Sequence, residues 1–126
     1  MVSDDWNTEG GSVIVDALAS LELEPRRMPI YDREIGLRLL AIDQRTGAEH
    51  YVVRYPTGMR AQPHWHSASQ TILVIEGSLE VNGSVIGAGG YCHLPGGVPM
   101  HHAPANGSHC VFVSIFAGTF DVHTAD

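Results

Sequence analysis

From residue 35 onward, apolar and β-branched residues fall in short runs separated by glycine, proline and asparagine. Runs of this length bounded by turn residues predict strands rather than helices. Leu37–Asp43 reads as a strand, Arg45-Thr46-Gly47 as a turn, and Glu49–Tyr55 as the returning strand. Pro56-Thr57-Gly58 turns the chain again. Thr71–Ile75 is a β-branched run closed by Glu76-Gly77. Leu79–Val81 and Ser84–Ile86 flank Asn82-Gly83, a pair that favours a type I′ hairpin. Gly87–Gly90 leads into Tyr91–Leu94, a Pro/Gly loop spans Pro95–Pro99, and Cys110–Phe116 is the last strong strand, with Phe120–Val122 as its candidate extension.

The first third is less regular. Residues 1–11 are polar and acidic and are expected to be frayed. Val13, Val15, Leu18 and Leu21 would stripe a short helix, but Val13–Val15 equally suits the start of a strand, and Pro25 stops either. The expected organisation is therefore an N-terminal arm or helix over residues 1–34 and one barrel over residues 35–126. Many short strands without a long helix define an all-β antiparallel sandwich or barrel, and 126 residues suffice for one such domain.

Composition narrows the partners. The net charge is -7, and the seven basic residues are all arginines, scattered singly or as one pair. Without a basic stripe there is no electrostatic footprint for nucleic acid or for an anionic membrane surface. No apolar run approaches the ~20 residues of a membrane-spanning helix, and the N-terminus lacks a signal-peptide pattern. Cys92 and Cys110 lie in separate apolar runs without a C-x-x-C pairing, which reads as two free thiols in a reducing, cytoplasmic setting.

The chemistry concentrates in histidines. His64 and His66 are two apart, and alternate residues of a strand share a face, so both imidazoles project together as a metal-binding pair would. An ordinary exposed strand face is the competing reading. The turn marked by Gly58 and Pro63 favours a site, and a second cluster, His101-His102, stands where a later strand begins. Trp65, between the pair, points to the opposite face and suits packing or a dimer contact. His93 is a candidate acid or base, although a satisfied structural histidine is the favoured reading. Arg60, and similarly Arg54, could grip an anionic substrate or simply be solvated. Met100, Phe112 and Phe116 suit either an apolar pocket or the core. His50, His109 and His123 are assigned to the surface.

The stretch Gly58–Gly77 resembles the first motif of the cupin superfamily, G-x5-H-x-H-x3-E-x6-G, at Gly58, His64, His66 and Gly77, with Gln70 in place of the usual glutamate. Gly89–His101 resembles the second motif, G-x5-P-x-G-x2-H, at Gly89, Pro95 and Gly97. The motif's histidine falls on Met100, so a loop one residue longer makes His101 the first choice as third ligand and His102 the second.

The resemblance implies a cupin-type jelly-roll barrel, a homodimer, and one divalent transition metal held by His64, His66 and His101, with Gln70 either a fourth ligand or a residue beside the ligands. Iron(II) is favoured, with zinc, nickel or manganese as alternatives. A glutamine in place of a carboxylate leaves the full charge on the metal and favours anionic, chelating substrates. The expected activity is that of a non-haem iron dioxygenase-like oxidoreductase on a chelating enolate, diketone or related small metabolite. A non-oxidative isomerase, lyase or cyclase, or a ligand-binding sensor without turnover, are the alternatives.

Overall fold

The structure is a computed structural model that describes residues 7–9 and 11–125. The chain begins with an antiparallel pair, β1 (Asn7–Glu9) and β2 (Ser12–Ile14), followed by a single 3-10 turn over Leu18–Ser20. Then come β3 (Glu24–Arg26), β4 (Ile35–Ile42), β5 (Glu49–Tyr55), β6 (His64–Trp65), β7 (Gln70–Val81) and β8 (Ser84–Gly87). The last four are β9 (Tyr91–Leu94), β10 (His102–Pro104), β11 (Cys110–Phe116) and β12 (His123–Thr124).

The main sheet has the order β10-β7-β11-β5-β4-β3, with β8 and β9 also pairing with β7, and β12 pairs separately with β6. Every pairing is antiparallel. Each strand therefore presents alternate residues to the barrel interior. Val53 and Tyr55 from β5, Ile72 and Val74 from β7, and Cys110 and Phe112 from β11 form the inner core with Met59, Leu79, Leu94 and Met100.

The outer face of the sheet is apolar as well. Val52, Val111 and Val113 point outward and are covered by Leu21, with Val15, Leu18 and Leu23 packed against them. The ambiguous stripe at residues 13–21 thus becomes an extended cover with one 3-10 turn rather than a helix. Val13 itself stays exposed. Fully burying a side chain such as Leu21 contributes about 1.5–3 kcal/mol, so this segment is part of the fold. The segment 24–34, expected within the arm, likewise contributes β3 to the sheet and buries Ile30.

The Asn82-Gly83 turn is as expected, with both residues at positive φ, which matches the twist of a two-residue hairpin. The strand expected to close at Glu76-Gly77 does not close. β7 runs on to Val81 through a bulge, where pairing shifts from Val74↔Phe112 to Glu76↔Val111 and leaves Ile75 as the extra residue. Gly77 makes this passage possible. Its φ is +75°, and a Cβ there would meet the His109 carbonyl oxygen at 2.0 Å. Past the bulge, β7 exchanges β11 for β10, its partner at His102↔Val81.

Phe120–Val122 does not extend β11. The chain turns at residues 117–119 and returns as β12 alongside β6.

Candidate metal centre

His64 in β6 and His66 directly after it point toward the interior, on either side of Trp65, and are 0% and 3% exposed. Their position is held from three directions. The His64 backbone exchanges hydrogen bonds with Met100, 3.0 Å through its N–H and 2.7 Å through its carbonyl, and Gly97 N–H donates to the His66 carbonyl at 2.7 Å. Across the strand, Trp65 points the other way and stacks on His123, with ring centroids 4.0 Å apart. The outward reading of Trp65 holds, and the surface where it packs belongs to this chain's own C-terminal segment.

The third inward imidazole is His102, which corrects the expectation of His101. Met100 is buried beside His64, and strand alternation from Met100 puts His101 outside and His102 inside. His101 N–H donates to Asn82 Oδ1 at 2.9 Å, and its ring lies 3.8 Å from the Glu80 carboxylate at the surface. His102 is 1% exposed. Ring centroids of His64 lie 5.1 Å from His66 and 5.0 Å from His102, and one ligand atom from each of the three falls within 4.8 Å of the others. Gln70, the first residue of β7, is also buried; its Nε2 donates to Ser114 Oγ at 2.8 Å.

The hydrogen bonds fix which atoms remain for a ligand. His64 Nδ1 donates to the Gln62 carbonyl at 2.7 Å, and His66 Nδ1 donates to the Asp121 carbonyl at 2.5 Å. A carbonyl can only accept, so both rings carry their proton on Nδ1 and turn a bare Nε2 inward. His102 Nδ1 faces Tyr55 Oη at 2.7 Å. His64 Nε2, His102 Nε2 and Gln70 Oε1 are buried without any hydrogen-bond partner. Buried polar atoms normally find partners; His64 Nε2 and Gln70 Oε1 are acceptors without a donor, and His102 Nε2 becomes one when its proton sits on Nδ1, which matches the demand of a cation.

Electrostatics agree with that demand. Burial pushes all three imidazoles below their ordinary pKa, and His102 well below, with the neighbouring histidines adding to the effect. The rings are thus held neutral, the form that ligates metal. Neither the three imidazoles nor the Gln70 amide carries negative charge.

The cluster opens on a cavity of about 60 Å3. Its walls include His66, Gln70 and His102, the aromatic rings of Phe112, Phe116 and Phe120, and three tyrosines, Tyr31, Tyr51 and Tyr55. Met100 is core rather than wall, whereas Phe112 and Phe116 serve as both. Two expected catalytic residues lie elsewhere. His93 is on the outer face of β9, where its Nδ1 meets Thr71 Oγ1 at 3.1 Å. Alternation from the inward Leu94 and Cys92 requires this. Arg60 is exposed; its backbone N–H donates to Asp32 Oδ1 at 2.9 Å and its carbonyl accepts from the Asp32 N–H at 3.0 Å. Arg54 is exposed on β5.

Residues that the sequence reading did not single out complete the surroundings. Asp121 holds His66 through its carbonyl, and its carboxylate binds the Ser67 N–H at 2.8 Å and Ser67 Oγ at 2.5 Å. These contacts keep its carboxyl down at about 2. Tyr31 and Tyr55 form a hydroxyl pair at 2.8 Å. No spacing in the sequence marks either feature. Among the described residues both cysteines are free thiols, as expected, and no helix is long and apolar enough to cross a membrane.

Comparison with known proteins places this geometry. Residues 24–120 match the ChrR cupin-like domain family. The chain belongs to that family. The jelly-roll expectation is therefore met, and a cupin barrel with an inward histidine triad suggests a divalent metal. No curated protein matches the chain. Solved structures share the fold at low identity. An acetylacetone dioxygenase from Acinetobacter johnsonii superposes with a TM-score of 0.73 at 18% identity, over 95% of this chain and 83% of that one. The polyketide cyclase RemF from Streptomyces resistomycificus gives 0.68 at 22%, over 82% and 80%. A cupin-like protein from Thermotoga maritima gives 0.71 at 17%, over 83% and 87%.

Proposed function

We propose that this cupin is a metal-dependent enzyme that oxidises a small chelating enolate, such as that of a β-diketone, with His64, His66 and His102 holding iron(II) and Gln70 Oε1 as a fourth donor. The observation that carries the reading is the cluster of orphaned, uncharged donors at the end of an apolar cavity. When bound there, the metal supplies Lewis acidity and a meeting point for enolate and dioxygen. The residues do the rest. Neutral imidazoles and an amide leave the cation's charge uncompensated, so an anionic chelator is preferred over a neutral one. Phe112, Phe116 and Phe120 exclude water and fit a small carbon skeleton.

The same cavity weakens the non-oxidative reading. An isomerase or lyase needs a base poised near neutrality. His93 faces outward, and burial raises Tyr31 to about 12 and Tyr55 well above its ordinary value. These groups hold protons and do not abstract them. The fold likeness to an acetylacetone dioxygenase is consistent with the oxidative assignment.

The test is anaerobic reconstitution with Fe(II), then oxygen uptake in the presence of a panel of β-diketones and α-hydroxy ketones. Stoichiometric uptake with loss of the substrate absorbance is expected. Turnover without oxygen consumption would replace the assignment with a lyase or cyclase. Tight binding without turnover would leave a sensor.

A further inference from the structure

The three imidazoles differ in one respect. His64 and His66 give their Nδ1 protons to backbone carbonyls, which accept only. His102 faces a hydroxyl, which accepts or donates, so its tautomer is set by what happens at Nε2. Beyond Tyr55 lies Tyr31, with Oη to Oη at 2.8 Å and rings edge to face at 5.3 Å. His102, Tyr55 and Tyr31 thus form an unbroken chain of hydrogen bonds, and all three line the cavity.

A cation on His102 Nε2 forces the ring proton onto Nδ1. That proton points at Tyr55 Oη, so Tyr55 turns its own proton to Tyr31 Oη. Tyr31 then accepts and has its proton left to give. Among the described residues Tyr31 Oη has no partner besides Tyr55. Neither of the other two wall tyrosines can substitute. The Tyr51 hydroxyl donates to Glu49 Oε1 at 2.6 Å, and the Tyr55 proton is used within the chain.

We infer that metal occupancy polarises the His102–Tyr55–Tyr31 chain and makes the Tyr31 hydroxyl the hydrogen-bond donor to an oxygen of the bound enolate. Tyr55 is a positioning residue that orients a metal-ligating ring, and Tyr31 is the ligand-recognition group. This inference rests on the metal reading above. It adds the residue that distinguishes an enolate oxygen from a bare anion, and it couples metal loading to ligand binding without a change of backbone. No proton leaves the chain; only the direction of each hydrogen bond is set.

The experiment uses Co(II) as the probe metal and acetylacetonate as the probe enolate, both followed by absorbance on wild type, Tyr31→Phe and Tyr55→Phe. Tyr55→Phe is expected to weaken Co(II) about 10- to 100-fold, the usual effect of removing a partner that orients a ligand. Tyr31→Phe is expected to leave Co(II) affinity within about threefold and to weaken acetylacetonate roughly 10- to 100-fold, the loss of one hydrogen bond to a charged oxygen. Unchanged acetylacetonate binding in Tyr31→Phe would overturn the recognition role, and unchanged Co(II) affinity in Tyr55→Phe would overturn the polarised chain. Wild-type protein that binds no Co(II) would remove the metal reading itself, a result separate from either. Should Tyr55→Phe fold poorly, Tyr31→Phe still decides, because its ring stays in place and only the hydroxyl is lost.

Discussion

Replacing Gln70 with glutamate probes the donor set most directly. The side chain is 3% exposed, its Oε1 is an orphan among three neutral imidazoles, and no arginine lines the cavity. Without metal, the new carboxylate has only the Ser114 hydroxyl, and no cation, to compensate its burial. It escapes by taking up a proton, which limits the cost. From an unfolded pKa of about 4.3 to pH 7 is about 2.7 pH units at 1.36 kcal/mol each, a ceiling near 3.7 kcal/mol. In a chain of this size that is a fall in Tm of up to roughly 15 °C. The folded pKa lies above the unfolded one, so the unfolded state binds fewer protons between them. The penalty is therefore absent below about pH 4.3 and grows as pH rises toward the folded value. Metal reverses the sign, because the carboxylate then neutralises one unit of the cation's charge. Gln70→Glu is expected to lose stability as the metal-free protein at pH 7, to regain it below pH 5 relative to wild type, and to bind Zn(II) at least tenfold more tightly. Thermal melts at several pH values and a chelator competition read all three. A metal-free variant as stable as wild type at pH 7, with unchanged zinc affinity, would refute the placement of Oε1 in the donor set.

His102→Gln should lower metal affinity more than 100-fold, beyond the 10- to 100-fold typical of groups that only orient a ligand. His101→Ala removes an exposed ring 3.8 Å from Glu80, and should leave metal content intact and stability within about 0.5 kcal/mol; elemental analysis of the two variants decides between the histidines. The three imidazoles titrate below their ordinary 6.5 in the folded chain. The unfolded state therefore binds more protons below pH 6.5, and the metal-free protein should be fully stable above that pH and progressively weaker as acid approaches the folded values. A flat Tm between pH 7.5 and pH 5 would contradict their burial as neutral groups.

What the sequence reveals and what it hides follow from the range of each interaction. Strand identity is local, so the hairpin at Asn82-Gly83 and the runs at Glu49–Tyr55 and Cys110–Phe116 are legible from residue type and turn chemistry alone. That His64 and His66 share one face is legible for the same reason, since alternation needs only neighbours; that this face is the buried one comes from the fold around it. The third histidine required one further step. Met100 is apolar, and two residues beyond it on the same face is His102, not His101. Counting motif spacing instead of strand parity points to the wrong ring. The same parity, started from Leu94, places His93 outside. The path of β7 through Gly77 is not local. Glu76-Gly77 is a turn signal, and it becomes a bulge because β11 and β10 together hold the strand on both sides of it.

The partners of His66 and His102 are the least legible part, because each comes from a distant stretch of chain. Asp121 lies 55 residues from His66, and Tyr55 lies 47 residues before His102. Their chemistry nonetheless bears on why a glutamine is tolerable at position 70. A carboxylate at this position would help bind the cation, but it would also make an anionic ligand compete with an anionic wall in a cavity whose other surfaces are aromatic. With Gln70, the chelating anion brings the only negative charge to the site, and the affinity that the donor set forgoes for metal alone is recovered when metal and anion are present together. Metal should therefore be held loosely in the resting protein and tightly in the ternary state, with each ligand strengthening the other by the same factor. Tyr31 adds to this coupling only once His102 is ligated, since only then is its proton directed away from the chain.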